Sequence, residues 1–273
     1  MFDLKQRSIT NPLRHRQLVQ LRFYLRHLLN QCSNQYVYTG NQYGVLIGRL
    51  LDIKGDAQVT FVTFNYDTLI EQAMIATGIM PSKLTLQEYL KAPIPLIKPH
   101  GSTQWVYRLR SQGGNPKGRE VEWLLEQYPM QEPDISKIPI QIDEEWNMNG
   151  NLRSFETPYV YYPAIAIPLN QKTEFVCPPE HIASLEAALE TAKHVVTVGW
   201  RGSEDRFCRL LQTHCPKNKI RLHVVSTSEK SATSIADNLN ATYIHNAHVR
   251  IYKNGFSGFM RDHDSSDLLK ILS

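Results

Sequence analysis

The sequence has no uninterrupted apolar run of about 18 residues, no paired cysteines and no strong excess of charge of either sign. Each absence excludes a class of protein. Without the apolar run, hydropathy gives no membrane-spanning helix. The N-terminal stretch MFDLKQRSITNPLRHR lacks the apolar core of a signal peptide, so the expectation is a cytoplasmic chain with no membrane partner. Four cysteines, Cys32, Cys177, Cys208 and Cys215, occur without a CxxC spacing, which argues against a zinc ribbon or a disulfide framework and fits a reducing compartment. Thirty basic residues against 26 acidic ones leave a net charge of only +4, a weak footing for nucleic-acid binding. Basic residues concentrate only in Arg14, His15, Arg16, Arg22, Arg26 and His27, read as the solvated face of a helix, with a phosphate- or partner-binding surface as the alternative.

What is present is an alternation of strand-like and helix-like segments. At 273 residues the chain can form one large α/β domain with an insertion. Leu13, Leu18, Leu21, Leu25, Leu28 and Leu29 give an amphipathic stripe from Pro12 to Leu29, with Asn11 as N-cap. A second helix is expected over Tyr43 to Ile53, where Gly40, Gly44 and Gly48 at four-residue spacing suggest close helix packing. VTFVTF (59–64) reads as a strand running into a helix near 68–77, and Ile94 to Lys98 as a second short strand. The polar stretch from about 110 to 157, with Trp123 and Trp146 as anchors, reads as an insertion or small subdomain. YVYYPAIAIPL, HVVTVGW and IRLHVVS follow as apolar segments, with helices expected over 181–193, 203–213 and 229–239. This order predicts a mostly parallel, doubly wound sheet, an architecture that binds ligands beyond the carboxyl ends of its strands.

Three segments place polar groups at such ends. Thr63, Asn65, Tyr66 and Asp67 follow VTFVTF; His100, Gly101 and Ser102 follow the second strand; Gly199 through Asp205 follow HVVTVGW. All three are expected to converge at one sheet edge. Singly, each has a plainer reading, since Asn and Asp favour turns and helix caps, and Ser203 with acidic residues in the first turn could cap a helix beside Trp200, Glu204 and Asp205. His245, His248 and His223 lack the carboxylate or thiolate spacing of a metal centre, so no metal is expected. The tyrosines and Pro163 of YVYYPAIAIPL read as core packing and an edge segment, and Cys208 and Cys215 as small core residues.

FVTFNYDTLIE resembles the Thr-x-Asn-x-Asp segment of the sirtuins, the silent information regulator superfamily, and especially the TNYDxLLE form of its bacterial defence-associated branch. IKPHGSTQW is similar to that branch's KLHGSxxW, and VVTVGWRGSED to its IIGYSLSExD, in the same order over about residues 40–240. The resemblance implies a Rossmann-like domain that takes NAD as substrate and breaks the bond between nicotinamide and ribose. It implies that Asn65 holds the nicotinamide ribose or its attacking water, that Asp67 supports that pocket and that His100 acts as general base, with Thr63, Tyr66, Gly101 and Ser102 lining the site. Gly199, Ser203 and Ser226 would approach the adenosine half.

On this reading residues 1–39 are an N-terminal helical segment, 40–240 the NAD-binding domain and 241–273 a C-terminal extension. The paired cysteines of deacylating sirtuins are absent, which favours NAD hydrolysis over deacylation. The family's Gly-Ala-Gly-x-Ser phosphate loop is also absent, which leaves two readings: a fragment whose start lies upstream, preferred here, or a variant that kept the scaffold. The expected function is therefore an NAD glycohydrolase, an effector of anti-phage defence. The alternative is a catalytically silent module that senses NAD or an ADP-ribose derivative, or that assembles with copies of itself or a partner domain.

Overall fold

The computed structural model describes residues 11–36, 42–53, 55–111, 119–129, 132–143, 158–167, 175–216, 220–245 and 247–272. Gly40, Trp146 and parts of the polar stretch 110–157 lie outside these. The fold is mixed α/β, and the chain divides into two compact units, Met1–Thr39 with Val62–Pro179 and Gly40–Phe61 with Glu180–Ser273. In chain order come α1 (Pro12–Tyr36), α2 (Gln42–Ile53), β1 (Phe61–Val62), α3 (Leu69–Ala76), the short α4 (Glu88–Lys91), β2 (Leu96–Ile97), β3 (Gly101–Arg110), α5 (Glu120–Gln127), β4 (Ile140–Ile142) and β5 (Tyr159–Ile165). There follow α6 (Pro179–Glu190), β6 (His194–Val198), α7 (Asp205–His214), β7 (Arg221–Val225), α8 (Glu229–Leu239), a π-helical turn Asn240–Ile244, β8 (His248–Tyr252), α9 (Gly255–Asp262) and α10 (Ser265–Leu272). None of the described helices is long and apolar enough to cross a membrane.

Among the described residues the strands form three sheets, β1–β2, β4–β3–β5 and β6–β7–β8. In the first unit β3 pairs antiparallel with both neighbours, Val106 lying beside Gln141 and Pro163. Its residues are covered on both faces, with Trp105 and Val106 fully buried. The second strand expected from sequence ended at Lys98 and this one was not expected, because Gly101–Arg110 interleaves polar and apolar residues without the period-two alternation of a half-exposed strand. Among the described residues β5 pairs with β3 alone, and Val160, Tyr162, Ala164 and Ile165 are completely buried.

Helix α1 reverses the expected polarity of its surface. Asn11 caps it as expected, its Oδ1 accepting the Leu13 amide at 3.0 Å. However, His15, Arg22 and Arg26 are buried, while Leu13 and Tyr24 are 64% and 60% exposed. At these three positions the basic cluster is therefore neither a solvated face nor a phosphate-binding surface, while Arg16 and His27 are exposed as expected. Arg26 Nε donates to the Thr103 carbonyl at 2.7 Å, and its Nη2 pairs with buried Asp143 at 2.8 Å. Arg22 makes a two-pronged contact with Glu132 at 3.1 and 3.2 Å, donates to the Ile165 carbonyl and lies 5.3 Å from the centre of the Tyr162 ring. His15 Nε2 lies 2.7 Å from the Tyr128 carbonyl oxygen. A guanidinium with five donors can serve a carbonyl and a carboxylate at once, so these side chains tie α1 to β3 and β5 where an apolar face could only pack.

The second unit is the parallel, strand–helix–strand part of the molecule. Val198, Val225 and Tyr252 stand side by side at the carboxyl ends of β6, β7 and β8. Ser228 starts α8 by accepting the Ser231 amide, as the sequence led one to expect of a helix over 229–239. Residues 241–273 supply β8, α9 and α10, and Phe259, Met260, Leu268 and Ile271 pack on Val225 together with Leu46 and Ile53 of α2. The close-packing explanation for Gly44 and Gly48 fails, since a methyl group at either would meet nothing within 4 Å. Cys208 and Cys215 are buried, and desolvation pushes their thiols up to about 12 and about 11, so both stay protonated and inert.

Arg26→Met should lower the free energy of unfolding by about 3–5 kcal/mol, because it strands the Asp143 carboxylate in the interior. The double variant Arg26→Met/Asp143→Leu should recover most of that loss in urea denaturation. Equal losses in the single and double variants would contradict the role given to this pair.

Candidate functional site

The sequence separates FVTFNYDTLIE and IKPHGSTQW by 25 residues, and the fold of the first unit brings them together. The amide of Thr63 donates to the Ile97 carbonyl at 3.0 Å, and the amide of Thr103 donates to the Tyr66 carbonyl at 2.9 Å. Between these two bonds the chain runs from β1 into α3, and the loop Thr63–Asp67 curls over the turn that carries His100. The imidazole lies between two rings, with centroids 5.0 Å from Phe64 and 6.2 Å from Tyr66, the latter stacked at 28°. His100 is 1% exposed. Asn65, between the two aromatic residues in sequence, is exposed.

Local hydrogen bonds explain the loop's shape. Thr63 Oγ1 accepts the Asn65 amide at 3.2 Å, and Asp67 Oδ1 accepts the Leu69 amide at 3.1 Å, an Asx turn that launches α3. Thr63 and Asp67 thus perform the turn-forming work open to them from sequence alone. Behind the loop, the Asp67 carbonyl accepts a hydrogen bond from Lys98 Nζ. Lys98 is fully buried and pairs with buried Glu71 at 2.7 Å, and the hydroxyl of Tyr89 donates to the same Glu71 oxygen at 3.2 Å. Burial and the adjacent Glu71 charge push the Tyr89 hydroxyl well above the ordinary tyrosine range.

The turn at His100 is set by Gly101. Its amide donates to the Lys98 carbonyl at 3.0 Å and its φ is +86°, the left-handed region where side chains are strained. A Cβ there would lie 2.0 Å from the Ala164 carbonyl oxygen of β5, so no side chain fits. The His100 carbonyl accepts the Ala166 amide at 2.8 Å, and Pro99 accepts that of Val176 at 2.7 Å. Gly101 and Ser102 are both buried, and the Gly101 amide is engaged within the turn.

Gly199, Ser203 and Ser226 belong to the second unit. Since Val198 and Val225 are in register, Gly199 and Ser226 leave the parallel sheet side by side at its carboxyl edge, and the Gly199 amide donates to the Val225 carbonyl at 3.0 Å. Gly199 and Gly202 have φ of +63° and +67°. Ser203 is exposed and does not cap α7; Glu204 occupies the cap position and accepts a hydrogen bond from the Trp200 indole. Among the described residues no group of three or more His, Cys, Asp or Glu side chains is placed to hold a metal ion.

A second polar cluster crosses the same sheet. His194 Nδ1 lies 3.3 Å from His223 Nε2, and His223 Nδ1 lies 3.3 Å from the Tyr252 hydroxyl. Desolvation, followed by the neighbouring His194 and the charges of Arg250 and Arg221, holds the His223 imidazole down at about 4. Sequence reasoning noticed His223 only beside His245 and His248 as a metal candidate; its partners here come from adjacent strands, which linear spacing does not reveal. Lys98 and Glu71 were also missed. The available signal was a lysine closing the apolar run IPLI, a position where a charge needs a partner.

The chain matches no family model and no curated protein.

A neutral, buried His223 ties stability to pH. With a folded pKa of about 4 and an ordinary value of 6.5, protonation favours the unfolded chain, so its contribution is complete above about pH 6.5 and lost as pH falls through about 4. Wild type should lose about 1–2 kcal/mol more than His223→Gln between pH 6.5 and 4, after allowance for solvent screening. Parallel stability curves for the two proteins would refute this.

Proposed function

We propose that the protein is an NAD glycohydrolase of the sirtuin-like type, releasing nicotinamide and ADP-ribose, and that the loop Thr63–Asp67 with His100 is its reaction centre. The observation that carries this reading is the meeting of two distant motifs around one imidazole, with Tyr66 stacked on His100 and hydrogen-bonded through its carbonyl to Thr103. The resemblance supplies the chemistry. Nicotinamide is a cationic leaving group, and when its bond to the ribose C1′ breaks the electron pair departs with the pyridine nitrogen. The oxocarbenium-like centre left behind takes water, which gives up a proton. An amide dipole such as that of Asn65 can orient the water or ribose hydroxyl, and an imidazole such as His100 can accept the proton at neutral pH. Asp67 acts through the loop it shapes. The adenosine-side role that the resemblance implies for Gly199, Ser203 and Ser226, residues of the second unit, forms no part of this reaction centre. No step calls for a metal. A cytoplasmic NAD-depleting effector of anti-phage defence is the setting that accompanies this reading.

A second reading is favoured by the enclosure of His100. An imidazole 1% exposed between two aromatic rings must be uncovered before it can meet substrate. A catalytically silent module that senses NAD or ADP-ribose, or assembles with its own copies or a partner domain, needs no such opening.

Purified protein incubated with NAD should release nicotinamide, and Asn65→Ala and His100→Ala should each reduce the rate by about 100-fold or more. NAD binding without release by wild type would select the silent module. Absence of both would end the nucleotide reading.

A further inference from the structure

We infer that Lys98, held by Glu71, is a positioning residue of the His100 site; this rests on the function proposed above. One residue fastens both arms of the site. Its main-chain carbonyl accepts the Gly101 amide at 3.0 Å and so closes the turn that presents His100. Its ammonium donates to the Asp67 carbonyl and so holds the end of the loop that carries Asn65 and Tyr66. Glu71, in the first turn of α3, aims the ammonium through a 2.7 Å contact, and Tyr89 donates to the same carboxylate oxygen from α4. Both ions are essentially inaccessible, at 0% and 1% of their side-chain surface.

Stability alone does not explain this arrangement. Removing an ammonium and a carboxylate from water is costly, and a buried ion pair is often no more stabilising than two apolar side chains of the same size. Among the described residues the second Glu71 oxygen accepts no hydrogen bond, so the pair is not even fully compensated. What an apolar pair cannot do is donate to the Asp67 carbonyl. The ion pair thereby converts burial into a fixed register between Asn65 and His100, within the tolerance of a few tenths of an ångström that such chemistry requires.

The test separates fold, position and activity. Lys98→Met alone leaves Glu71 buried without its counter-charge and should lower the melting temperature by more than about 10 °C. The charge-balanced Lys98→Met/Glu71→Leu variant should melt within about 5 °C of wild type. In that folded double variant, diethylpyrocarbonate should modify His100, followed by peptide mass spectrometry, at least about 10-fold faster than in wild type, and kcat for nicotinamide release should fall far more than KM changes. A folded double variant whose His100 reacts at the wild-type rate overturns the inference. Should wild type release no nicotinamide, the hydrolase reading fails, yet the His100 modification rates still decide the positioning role. On wild type itself, nitrogen-detected NMR should show a slowly exchanging Lys98 ammonium coupled through its hydrogen bond to the Asp67 carbonyl carbon; a fast-exchanging, uncoupled ammonium would equally refute the proposal, whether or not the variants fold.

Discussion

The four residues from Lys98 to Gly101 make a turn with no freedom to relax, and the first unit is organised around it. Gly101 sits at a positive φ against the β5 backbone, with room for a hydrogen and nothing larger. The carbonyls of Lys98, Pro99 and His100 are each taken by a backbone amide, from Gly101, Val176 and Ala166. This turn ends β2, begins β3 and presents His100, so the pairing of β3 with β5 and the seat of the imidazole share one constraint. A backbone placed this tightly gives a side chain a defined position without using the side chain itself for support.

Helix α1 completes the enclosure by unusual means. Its arginines reach inward to carbonyls at the ends of β3 and β5, while several of its large apolar side chains face outward. Arg26 donates to Thr103, whose amide in turn donates to Tyr66, so a chain of two hydrogen bonds runs from α1 to the loop over His100. Buried charges hold direction better than they add stability, and the same economy recurs at Lys98 and Glu71.

Much of this was legible in the sequence, and the failures have physical causes. The helix at 229–239 and the strands near 194–198 and 221–225 follow from the alternation of apolar and helix-like segments, and the structure places them within a few residues of expectation. Strand β3 escaped because burial on both faces erases alternation, and β8 escaped because five residues with only Val249 and Ile251 between His, Arg and Tyr carry little apolar signal. The basic face of α1 was misjudged because charge composition suggests solvent unless the acceptors, here Thr103, Ile165, Asp143 and Glu132, can be seen. Asn65, Asp67 and His100 were singled out because each stands just past an apolar run. Their mutual placement was not readable: Asn65 is exposed, His100 is sealed, and the ion pair that ties the loop to the turn is made of two residues that no motif singled out.

Occupancy of this loop and turn by a nicotinamide nucleotide is the central claim, and hydrogen–deuterium exchange with and without NAD tests it without requiring turnover. The account predicts that saturating NAD slows amide exchange in peptides covering 63–69 and 98–103 by at least about 10-fold, and that Asn65→Ala abolishes the effect. Unchanged exchange in both peptides, at an NAD concentration that binding measurements show to be saturating, would contradict it.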